Sequence, residues 1–135
     1  MRYLLLFIGV GYALNGMFML IDPRVWYDTI PGMEYFGPYN THFIRDISII
    51  YIVSGCGFVW GLQVRQSGVL LMASAWPALH AIYHLQVWSA RGFPLDTIYL
   101  VNIAAIQAPA WLGLWAAMSF ARKLSSQAGK ISDGR

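Results

Sequence analysis

The sequence predicts an all-α protein: an integral membrane four-helix bundle with an outer loop that contains a short interfacial helix. Three observations predict it. Of the 135 residues, 58% are hydrophobic and 11% are charged, less than half the charged share of an average soluble domain, roughly 25%. Four stretches are apolar enough and long enough to cross a bilayer core, which takes roughly 20 residues of helix. The basic residues gather near the ends of these stretches, as orientation signals do, and form no patch suited to nucleic acid. The length fits one domain, divided into a four-span membrane domain over residues 1–121 and a polar cytoplasmic tail over residues 122–135.

The first span covers residues 3–21. Arg2 followed by an apolar run resembles a signal peptide, but the run is long, carries Asn15 and lacks a small-x-small cleavage site, so it reads as a retained span. Asp22 and Pro23 then form a helix start, with Asp as cap and Pro in the first turn. The short helix runs from Pro23 to about Thr29 and presents Val25, Trp26 and Ile30 to the interface. Pro31-Gly32 ends it and Gly37-Pro38 makes a second bend. Asn40 or Thr41 caps the second span, residues 43–62. A short turn at residues 63–67 leads to the third span, residues 68–88, and the fourth covers residues 97–121. The remaining tail, rich in Ser, Gly and Lys, is expected to fray.

The ends and the 63–67 turn share one side of the bundle, which carries Arg2, Arg65, Arg122, Lys123, Lys130 and Arg135. The other side carries Arg24, Arg91 and Arg45. Six basic residues against three place both termini in the cytoplasm and the protein, multi-pass, in the cell's inner (plasma) membrane. Small residues suit close helix contact in lipid: Gly9 and Gly16 on the first span; Ser54, Gly55, Gly57 and Gly61 on the second; Ala105, Pro109, Gly113 and Ala116 on the fourth. They serve the bundle itself or an interface with further copies or a larger membrane complex. Cys56, the one cysteine, reads as a small core residue. Pro77 and Pro109 leave the carbonyls of Ala73 and Ala105 without helical partners, which kinks helices or lines a polar cavity. Trp26, Tyr27, Tyr35, Phe36 and Tyr39 suit the headgroup layer or a lid over a pocket.

Polar side chains within spans are costly and point to function by default. His80 and His84 are four apart and share a helix face. His42 and Asp46 repeat that spacing on the second span, with Arg45 turned roughly 100° away. Rise per residue puts Asp46, His84 and Asn102 at a similar depth, roughly 6 Å below the outer boundary, with Asn15 nearer the level of His80. The cytoplasmic half has almost no such groups, which argues against a longer transport path. His42, Asp46, His80 and His84 have the ligand types of a Zn, Cu or Fe site. A haem held by His80 or His84, with His42 and Asn102 nearby, is the second cofactor reading. The protease motif His-Glu-x-x-His is absent, because Ala81, Ile82 and Tyr83 separate the pair. The structural alternative has Asp46 bonded to His80 or His84, and Arg45 snorkelling or paired with Asp22 or Asp96.

Residues 37–57, GPYNTHFIRDISIIYIVSGCG, resemble small bacterial four-span proteins of the DoxX-like kind, with a proline-containing outer loop, a polar turn with Arg opening the second span, and a glycine-rich stretch. The resemblance covers mainly the first two spans and the helix count; it implies the fold and a link to respiratory or redox complexes, and does not extend to His80 and His84. Three functional expectations follow. The first is a metal or haem site in the outer half, redox-active, built on the His/Asp/Arg set. The second is a non-catalytic accessory subunit or assembly factor. The third is an enzyme or carrier for a small lipophilic molecule, in which His80 or His84 moves a proton, Asp46 tunes it and Arg45 holds an anionic group.

Overall fold

Six helices form in a computed structural model that describes the backbone of residues 1–133 and the side chains of residues 1–127. Helix α1 is Arg2–Ile21, α2 is Pro23–Thr29, and a single 3-10 turn covers Met33–Phe36. Helix α3 is Thr41–Gln63 and α4 is Ser67–Ala90. Helix α5, Thr97–Val101, passes through a π-helical turn at Asn102–Gln107 into α6, Ala108–Asp133. Among the described residues, four runs are long and apolar enough to cross a membrane: α1, α3, α4 and the continuous Thr97–Gln127 stretch. No strand occurs among the described residues.

Local chemistry sets the boundaries. The Asp22 carboxylate accepts from the Val25 N–H at 3.1 Å, and Pro23, which has no N–H to leave unpaired, opens α2. Asn40, rather than Thr41, caps α3, accepting from the Phe43 N–H at 3.1 Å. Asp96 caps α5 in the same way through the Tyr99 N–H. The last helix does not stop at Ala121: it continues to Asp133, with the good helix formers Arg122, Lys123, Leu124, Gln127 and Ala128 among its residues. The frayed tail expected after Ala121 is therefore helical as far as Asp133, and residues 134–135 of it lie outside the described residues.

Glycines determine how closely the helices approach. A Cβ added at Gly55 would lie 2.5 Å from the Gly9 carbonyl oxygen, and one at Gly16 would lie 2.7 Å from the Ser48 carbonyl oxygen, so α1 and α3 meet backbone to backbone. Gly57 faces Ala73 and Gly61 faces Leu70 across the α3–α4 contact. The GxxxG pair is thus used inside the bundle, not on a free face awaiting a second copy. Gly113 brings α6 against Phe58 and Ile8. Around these contacts lies a core of Leu5, Ile8, Met19, Phe58 and Leu70, with Ala116 and Ala117 fully enclosed. The outer surface is equally apolar: Phe7, Leu14, Val53, Trp60, Met72 and Leu79 all stand exposed. Cys56 is exposed with them and is not a core residue, because it follows Gly55 by one position and so points about 100° away from the α1 contact.

One end of the bundle holds both long connections, and the other holds the start of α1, the α3–α4 turn and part of α6, where Arg65 reaches Gln127 at 3.2 Å. At the loop end, residues 30–40 fold back over the helix tips. Gly32 adopts φ +86°, a left-handed conformation that favours glycine, and a Cβ there would lie 2.6 Å from the Ile98 side chain. The Tyr27 hydroxyl donates to the Gly37 carbonyl at 2.7 Å. Arg91 joins the two connections: it donates to Asp96 at 2.6 Å and lies over the Tyr35 ring at 5.6 Å.

Candidate functional site

Beneath the folded-back loop lies a cavity of about 530 Å³ between α1, α3, α4 and the α5–π segment. Trp26, Ile30, Met33 and Phe36 roof it. Its wall on the α3–α4 side is a continuous run of rings. Tyr51 meets Trp76 edge to face at 5.0 Å, Trp76 stacks on His80 at 4.7 Å, His80 meets His84 at 4.5 Å, and Phe36 from the loop covers His84 at 5.4 Å. Tyr12 on α1 extends the run, 5.6 Å from Tyr51. Ring pairs in such offset and edge arrangements stabilise the wall as well as covering it.

The polar groups that line this cavity, with Gln107 behind the wall, fall into two sets. One set is tied to the protein. Asn15 accepts from the Trp26 indole N–H at 3.1 Å and donates to the Met19 sulfur at 3.4 Å, which fastens α2 to α1 across the roof. Gln107 donates to the Ala81 carbonyl at 2.9 Å and to Asn102 at 3.2 Å, and accepts from the Trp111 indole at 2.9 Å. That staple holds the π turn against α4 at the level of His80. The other set has no hydrogen-bond partner among the described residues: the imidazoles of His80 and His84, the hydroxyls of Tyr12 and Tyr51, and the Nδ2 of Asn102. No buried side-chain nitrogen or oxygen among the described residues lacks a partner, so these unpartnered groups are accessible from the cavity they line. Among the described residues, no Asp, Glu, Lys or Arg lines it.

The structure brings together His80, His84, Asn102 and Asn15 from the sequence-predicted set, and leaves out His42, Arg45 and Asp46. His42 and Asp46 form their own pair at 3.4 Å with side chains 89% and 56% exposed. The reason is the rotation of α3 about its axis. Its buried stripe runs through Ile44, Ser48, Tyr51 and Gly55, and Asp46 lies two residues, about 200°, from both Ile44 and Ser48. Asp46 therefore bonds neither His80 nor His84, and Arg45 pairs with neither Asp22 nor Asp96, whose partner is Arg91. The four-ligand metal set His42, Asp46, His80 and His84 is not assembled. Among the described residues no three His, Cys, Asp or Glu side chains come together as a metal group, and the histidine pair alone offers half of a tetrahedral set.

Sequence reasoning missed Tyr12, Tyr51, Trp76 and Gln107. Trp76 could have been found, since it continues the His80/His84 face one turn further. Gln107 follows Asn102 by five residues, the spacing of a π turn, which an α-helical period does not register. The π turn also ends two residues before Pro109, the residue whose missing N–H disturbs the regular ladder.

No family model matches this chain, and neither a curated protein nor a solved structure matches it.

Proposed function

We propose that the chain is an integral membrane protein that crosses the inner membrane four times with both termini in the cytoplasm, and that the cavity under its outer loop binds a small lipophilic molecule. On this reading the cavity's imidazoles, hydroxyls and amide orient the polar end of that molecule, and His80 or His84 exchanges a proton with it. The apolar exterior, the glycine-mediated contacts and the charge difference between the two ends support the membrane placement. The observation that carries the functional reading is the convergence of unpartnered polar groups on one otherwise apolar, ring-lined space. Groups in such surroundings cost free energy unless something completes their hydrogen bonds, and the size falls within the range of small-molecule sites. The DoxX-like resemblance of residues 37–57 belongs to the same proposal and adds a respiratory or redox complex as its setting.

The test is solvent extraction of detergent-purified protein, with mass spectrometry of the extract and an absorbance spectrum and metal analysis of the same sample. A lipophilic molecule enriched over bulk lipid, and lost in a His80→Phe, His84→Phe variant that folds normally, is the expected result. Stoichiometric metal or a Soret band would replace this reading with a cofactor site. Folded protein that neither carries nor is stabilised by any lipophilic fraction of the membrane would overturn it.

A further inference from the structure

Resting on that reading, we infer that the ligand is an uncharged, single-chain amphiphile whose head enters sideways, through the bundle wall between α1 and the π turn. The wall is open there. Helix α1 is packed closely on α3 but makes almost no contact with the Asn102–Gln107 turn, and its contact with α6 includes Gly113 against Ile8, beyond that turn. Residues on both sides of the gap line the cavity and also face outward: Phe7, 78% exposed, and Gly11 on α1, with Ala105 opposite. A Cβ at Gly11 would meet nothing within 4 Å. The route toward the loop end, by contrast, is covered. The Trp26–Asn15 hydrogen bond, Gly32 against Ile98 and Phe36 against His84 close the roof. A molecule that dissolves in the bilayer therefore finds an open side, and one arriving from water finds a lid.

The lining selects the head. Imidazole, phenol and amide groups can donate to and accept from a hydroxyl or carbonyl oxygen, and the flanking rings suit a compact head. Among the described residues, no carboxylate, ammonium or guanidinium lines the cavity to neutralise an ionic head in a low-dielectric space, where an unpaired charge is strongly disfavoured. A cavity of about 530 Å³ holds a small head and part of one chain. A two-chain phospholipid fails on both charge and size.

The experiment uses the full chain in phosphatidylcholine vesicles. Three photoreactive probes share one diazirine-bearing hexadecyl chain and differ in the head: alcohol, carboxylate or trimethylammonium. Crosslinked peptides are read by mass spectrometry in the wild type, Gly11→Trp and Val53→Trp, with circular dichroism as the check on folding. The alcohol should label cavity residues several-fold more than the charged probes. Gly11→Trp should slow that labelling several-fold, and Val53→Trp, on an exposed face of α3 outside the cavity lining, should leave it unchanged. Equal labelling by all three heads overturns the uncharged-head assignment, and an unaltered rate in folded Gly11→Trp overturns the lateral route; both results leave the cavity as a ligand site. Folded wild type in which no probe labels the cavity overturns the functional reading itself.

Discussion

Replacing Trp26 by phenylalanine removes one hydrogen bond, from the indole N–H to Asn15 Oδ1 at 3.1 Å, while keeping most of the aromatic surface that roofs the cavity. A neutral hydrogen bond contributes about 1 kcal/mol net, which is about a fivefold change in a local opening equilibrium. Amide hydrogen exchange in detergent reads that equilibrium segment by segment. The expected outcome is exchange about fivefold faster in α2, with no change where α1 and α3 meet at Gly9, Gly16 and Gly55. Asn15→Leu deletes the same bond but leaves the indole N–H without its acceptor in partly buried surroundings, so it should open the roof further, at about 1–3 kcal/mol. The double variant should fall short of the sum, because both changes act on one bond. Unchanged exchange in α2, or strictly additive effects, would refute the latch.

Other consequences follow from the same geometry. Gly55→Ala drives a methyl group against the backbone of Gly9 and Ala13 and should destabilise the bundle by about 3 kcal/mol, at the upper end of overpacking costs, measured by thermal unfolding in detergent; Gly11→Ala should stay within about 0.5 kcal/mol of wild type. Gln107→Leu removes three interactions at roughly 0.6 kcal/mol each in a membrane setting, so a loss of about 2 kcal/mol is expected, with faster exchange at α4 amides near Ala81. The Asp96 carboxyl is held below its ordinary value of 3.8, first by the Tyr99 N–H and then by Arg91. Because its pKa is lower in the folded loop, its contribution is complete above that value and is lost as pH falls through the lowered one. Trp88, whose indole donates to Pro94 in the same loop, should therefore change fluorescence only below about pH 4, and Asp96→Asn should abolish that acid transition.

How much of this was legible in the sequence depends on the range of the interactions involved. The short loop helix was, because Asp22, Pro23 and the Val25 N–H that completes the cap lie within four residues of one another. The four long helices were, because apolar length is a property of each segment alone. The grouping of His80 and His84 was, because one helix sets their spacing. What was not legible is how each helix is turned against its neighbours. Asp46 and Tyr51 are five residues apart on α3, yet Asp46 is exposed and Tyr51 lines the cavity. Polarity favoured Asp46 as the site residue; packing chose Tyr51, because Gly55 must face Gly9 and Ala13 and that requirement fixes the rotation of the whole helix.

The same rotation explains the character of the cavity. With Asp46 and Arg45 turned outward, no ionic side chain among the described residues lines the cavity beside the histidines, so the site keeps neutral donors and acceptors. Across the cavity, the π turn makes the complementary adjustment. An α-helical turn separates positions five apart by about 500°, or 140° net, so Asn102 and Gln107 would point in different directions. The wider π turn lets both lie buried on one side, where Gln107 grips Ala81 and leaves Asn102 Nδ2 facing the cavity. A helix defect that holds a polar side chain in place beside an open wall has a clear use in a site that receives an uncharged head. In a bundle serving only as packed structure, a regular helix with Leu at position 107 would meet the same spatial demands with fewer buried polar groups.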